Sequence, residues 1–115
     1  MPNEIDMVGG VIVMVSDQEN ALEFYSQNLE FEIKENQEDG KERWIEVRPK
    51  NSGALISLVD PSISEMSPEK KEQTKQKIGT STGIWFYAKN INLVYQTLKS
   101  RGVEITKPEK QPGEF

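Results

Sequence analysis

Few residues in this chain have side chains suited to chemistry, and their types narrow the choice. Trp44, Glu46 and Arg48 alternate with Arg43, Ile45 and Val47, a spacing that puts the first three on one face of a strand. A carboxylate and a guanidinium two residues apart can hold one another or a polar ligand. Tyr87 adds a phenol, which is either a proton donor or a packing residue. The 115 residues contain no histidine and no cysteine. That excludes Ser–His–Asp relays, Cys–His pairs, His-ligated zinc or iron, and disulfides. Acid–base chemistry would have to rest on Glu, Asp, Lys or Tyr.

The charge balance narrows the partners. With 14 Lys and Arg against 19 Asp and Glu, the net charge is −5. A phosphate backbone or an anionic membrane needs a basic face, so no nucleic acid and no membrane partner is expected. The lack of cysteine accords with a reducing, cytoplasmic setting. The acidic opening Met1-Pro2-Asn3-Glu4-Ile5-Asp6 does not read as a signal peptide. No apolar run approaches the roughly 20 residues that span a bilayer. The length fits one domain, 1–115.

The elements that must position these residues form a pattern written twice. Val8 to Val15 is β-branched on both parities and reads as a strand covered on both faces. Ser16 and Asp17 offer N-caps for a helix from about Gln18 to Asn28, with Ala21, Leu22, Tyr25 and Leu29 as its apolar stripe. Phe31 to Ile33 opens a second strand, Asp39-Gly40 signals a hairpin, and Glu42 to Arg48 is the return strand. Pro49 to Gly53 is a turn and Ala54 to Val59 a fourth strand. Residues 8–59 thus read β-α-β-β-β. Residues 60–81 break the pattern with a charged linker. Its short helix begins at Ser67-Pro68-Glu69; the linker is either a solvated connector or a lid. The unit restarts at 82–115. Gly83 to Ala88 reads as a strand, Asn90 as a cap, and Ile91, Val94, Tyr95 and Leu98 as a helical stripe. Gly102 reads as a left-handed helix end and Val103 to Ile105 as a strand. This copy is short, with no room for two further strands of about 5–6 residues each.

Several local patterns resemble one family. Val15 to Tyr25 followed by Leu29-Glu30-Phe31-Glu32, Arg43 to Val47 with Pro49, Thr82 to Phe86, and Leu98 to Val103 are similar in order and spacing to the vicinal oxygen chelate superfamily. That group holds glyoxalase I and the bleomycin-resistance and fosfomycin-resistance proteins, with the extradiol dioxygenases. The resemblance implies an α+β fold of paired βαβββ modules curving around a pocket, the second module truncated here. It also implies a divalent metal that chelates adjacent substrate oxygens. The family's ligand positions, however, fall at Gly10, Ser57 and Gly83, and the last lies beyond the chain's end. The metal is therefore expected to be lost. Where relatives carry Leu-Gly-Phe, Glu30 replaces the glycine, at a cost of roughly 1 kcal/mol if the backbone is left-handed there. The ending Gln111 to Phe115 resembles a truncated Gln-Pro-Trp-Gly segment.

If Gly10 faces that pocket, alternation adds Ile12 and Met14, then Leu55, Ser57 and Val59, Trp44, Glu46 and Arg48, and Trp85 and Tyr87. The expected ligand-binding residues are Ile12, Met14, Trp44, Glu46, Arg48, Ser57, Trp85 and Tyr87, which suit a small aromatic or amphipathic molecule. Trp44 and Trp85 either contact a ligand or fill the core. Glu46 and Arg48 are expected to pair with each other. The leading reading is a metal-free small-molecule-binding protein that forms a homodimer, because missing strands leave a sheet edge open. A metal-dependent glyoxalase-like lyase or extradiol dioxygenase, and a non-catalytic assembly protein or remnant, are the alternatives.

Overall fold

The computed structural model describes residues 4–40, 42–50, 53–62 and 67–108. The expected turn at residues 49–53 is therefore described only in part, and the ending Gln111–Phe115 lies outside the described residues. The chain forms two compact units, Met1–Thr82 and Gly83–Phe115.

The first unit has the order β-α-β-β-β read from its sequence. Strand β1 is Gly10–Met14, helix α1 is Gln18–Glu23, and β2, β3 and β4 are Glu32–Asp39, Glu42–Arg48 and Leu55–Val59. A further helix, α2, follows at Pro68–Lys75. The sheet order is β1-β4-β3-β2; β1 runs parallel to β4 and the other pairs are antiparallel. Such a mixed open sheet with helices is α+β. A parallel β1–β4 pair cannot be joined by a tight turn, so the chain reaches it through a long crossover that includes α1.

Local chemistry sets each boundary. Asp17 is extended, and its Oδ1 accepts from the N–H of Asn20 at 3.0 Å, which starts α1. The helix then widens into a π turn, Phe24–Asn28, closed by Leu29 N–H donating to Phe24 O at 3.1 Å. The hydroxyl of Ser26 donates to Leu22 O at 2.6 Å, competing for a carbonyl that a regular turn would use. Glu30 then has φ 60, the left-handed conformation expected at that position. Between β2 and β3, Asp39 pairs with Glu42 and Gly40 has φ 64, as the hairpin signal required. Ser67 caps α2, its Oγ accepting from Lys70 N–H at 3.3 Å.

The core lies between α1 and the strands it packs on, β3 and β4. Ile45, Val47 and Leu58 are wholly buried there, with Ile56, Val13 and Leu22 nearly so. These are the strand parities opposite Trp44, Glu46 and Ser57, so the alternation read from the sequence holds. Gln18 joins this core, only 7% exposed. Its Nε2 donates to Arg43 O and Leu58 O, each at 2.9 Å, and ties the first turn of α1 to both strands.

Strand β1 is at one end of the sheet order. Gly9 O accepts from Leu55 N–H and Val15 N–H donates to Val59 O. Residues 9, 11, 13 and 15 thus face β4, and Gly10, Ile12 and Met14 turn their peptide groups to the outer edge.

The second unit contains α3, Ile91–Ser100. Asn90 caps it, accepting from Leu93 N–H at 3.1 Å. Gly102 ends it at φ 80, with Val103 N–H donating to Leu98 O and Gly102 N–H to Lys99 O. Two expectations fail here: neither 83–88 nor 103–105 is a strand. No strand stands among the described residues of this unit; the apolar run at 83–88 specifies burial rather than a backbone conformation. The apolar stripe of α3 is also less covered than its spacing implied. Ile91 and Val94 are exposed, and Tyr95 and Leu98 half-buried.

Candidate ligand-binding site

The ladder sets the candidate side chains in rows. Ile12 on β1 pairs with Ser57 on β4, Ser57 with Glu46 on β3, and Glu46 with Glu35 on β2. Paired residues share a face, so one row crosses all four strands on the side away from α1. Met14, Trp44 and Arg48 stand on the same face by alternation. Ser57 is 6% exposed at the row's centre, whereas Ile12 is 60% exposed. Trp44 is also exposed, which removes the core-filling role for that ring. Glu46, Arg48 and Met14 are half-buried.

The expected ion pair between Glu46 and Arg48 does not form. Arg48 Nε instead donates to Glu32 Oε1 at 2.6 Å. Glu32 stands directly opposite Arg48 across the β2–β3 hairpin, closer than a residue two positions along the same strand. The hydrogen bond from Arg48 holds the Glu32 carboxyl below the usual carboxylate range; desolvation opposes this, and the charges of Arg48, Lys34 and Lys50 assist it. Glu46 faces Glu35, whose Oε2 accepts from Gln37 Nε2 at 2.9 Å. On the other side of the unit, burial pushes the Tyr25 phenol up; its ring lies 5.3 Å from Phe24 and 5.7 Å from Phe31.

A cleft of about 670 Å³ opens along β1. Ile12, Val13 and Met14 form one wall, and Lys77 with residues 79–82 the other. Two expected site residues, Ile12 and Met14, therefore line the cleft. Trp44, Glu46, Arg48 and Ser57 share the adjoining sheet face but do not line it. Trp85 and Tyr87 belong to the second unit, where both are exposed; a core-filling role for Trp85 is thereby removed as well. Sequence reasoning missed Lys77 and Thr80 to Thr82. The signal available was the linker's possible role as a lid, with Gly79, at φ 78, closing it.

Residues 5–114 match the family model of the Glyoxalase/Bleomycin resistance protein/Dioxygenase superfamily. The chain belongs to this superfamily. One relative is the uncharacterized protein YurT of Bacillus subtilis, 34% identical over 104 residues, covering 89% of this chain and 80% of that protein. Among solved structures, a superfamily member from Sphaerobacter thermophilus is similar at TM-score 0.74 and 37% identity, covering 94% of this chain and 82% of that one. TnmS3, described as an antibiotic binding protein from Streptomyces sp. CB03234, is similar at TM-score 0.77 and 28% identity, covering 95% and 81%.

The superfamily's metal can be tested against this chain's own residues. A Cβ built on Gly10 would lie 2.6 Å from Leu55 O, a backbone atom, so the position has no room for a ligating side chain. Gly83 has φ 73, a conformation that strains any L side chain. Ser57 offers one hydroxyl, a poor donor for a divalent ion. No three His, Cys, Asp or Glu side chains converge among the described residues. The donor set does not fit the metal. No helix among the described residues is long and apolar enough to cross a membrane.

Proposed function

We propose that this superfamily member is a cytoplasmic binding protein that takes up a small aromatic or amphipathic molecule without using a metal ion. The observation that carries the reading is Gly10, where the neighbouring Leu55 carbonyl leaves no space for a ligand-bearing Cβ. A cleft with Ile12, Val13 and Met14 in its lining, and an exposed Trp44 on the adjoining sheet face, suit such a molecule. The similarity to an antibiotic-binding protein points the same way. Metal analysis of the purified protein tests it. The reading expects far less than one divalent ion per chain; a stoichiometric ion, or chelator-sensitive turnover of a hemithioacetal or a catechol, contradicts it.

The same reading includes a homodimer. Ile5, Met7 and Val8, just before β1, are all exposed, a short apolar segment of the kind that a second copy covers. The opposite edge strand, β2, is mostly charged or amide side chains, which discourages pairing there. Light scattering at high concentration should give a dimer, and Val8→Glu should give a monomer; a wild-type monomer contradicts this part.

A further inference from the structure

The cleft along β1 has one cationic side chain in its lining, Lys77. The turn that carries it is closely tied. Thr80 donates to Lys77 O twice, from its backbone N–H at 3.2 Å and from its hydroxyl at 2.6 Å. The Lys77 side chain makes no ion pair among the described residues, in a chain with 19 acidic residues. On the facing wall, Ile12 and Met14 turn their peptide N–H groups to the outer edge of β1, as the hydrogen bonds of Gly9 and Val15 require. An ammonium and two backbone donors thus stand beside the apolar side chains of Ile12, Val13 and Met14. That combination complements a molecule with an apolar body and an oxyanion at one end.

We propose that the ligand of this cleft is an aromatic carboxylate whose charged end is held by Lys77. The proposal rests on the small-molecule reading and narrows it to one chemical class. Lys77 is exposed, so its contribution is modest and salt-sensitive.

The experiment titrates the full chain with two probes of nearly equal shape, 1-naphthoate and 1-naphthylmethanol, followed by isothermal titration calorimetry at neutral pH and low salt. Wild type should bind the carboxylate about fivefold or more tighter than the alcohol, a difference that shrinks as salt is added. Lys77→Met, which keeps the apolar stem, should abolish the preference for the carboxylate over the alcohol. Lys77→Arg should retain most of it. Equal binding of both probes by wild type, or a preference that survives in Lys77→Met, overturns the carboxylate proposal and leaves the small-molecule reading standing. Failure of both probes to bind overturns both.

Discussion

Gln18 was legible only as the first residue of a helix. Its role depends on carbonyls 25 and 40 positions away, which no local pattern reveals. Gln18→Ala should lower stability by about 2 kcal/mol in urea unfolding, because one buried and one part-buried acceptor lose their donor. An effect near zero would remove its pinning role. The Glu32–Arg48 bond was misassigned for a similar reason: spacing along one strand suggested Glu46, but cross-strand register selected Glu32. Because the folded-state pKa of Glu32 is lowered, the stability it contributes is present above its unfolded pKa and is lost as pH falls through the folded value. The difference in stability between wild type and Glu32→Gln should therefore be seen at neutral pH and fade on acidification. A difference that grows as pH falls would contradict the assignment.

At the scale of elements, the first unit was legible because its signals are local. Alternation marked β3, the turn signal at 49–53 preceded β4, Asp17 and Ser67 marked helix starts, and Gly40 marked the hairpin. The π turn was not legible, since no residue pattern marks the shift to the Leu29-to-Phe24 hydrogen bond that defines it. Glu30 was legible as a misfit, and the structure places it at φ 60. Glu30→Gly should raise stability by about 0.5–1 kcal/mol in thermal or urea unfolding, by relieving a left-handed non-glycine residue; a loss would mean that the Glu30 side chain outweighs the strain. In the core, Ile45→Ala should cost about 3 kcal/mol, since the side chain is wholly buried between α1 and the sheet. The structure assigns no strand at 83–88 or 103–105, because an apolar run specifies burial rather than a backbone conformation.

For the whole molecule, the repeat pointed to the superfamily, and alternation placed Ile12, Ser57 and Glu46 in one row across the sheet. The cleft was only half legible. Ile12 and Met14 came from strand parity, but Lys77 and residues 79–82 lie in a polar segment without periodicity, and only the fold brings them beside β1. The superfamily's metal chemistry is what this chain's own residues fit least, because a backbone carbonyl fills the space beside Gly10. The most direct test of metal-independent binding is a calorimetric titration of chelator-stripped protein with 1-naphthylmethanol, run before and after a divalent ion is added. Saturable binding at one molecule per chain, unchanged by the ion, is the predicted result; binding that appears only once the ion is present would contradict it.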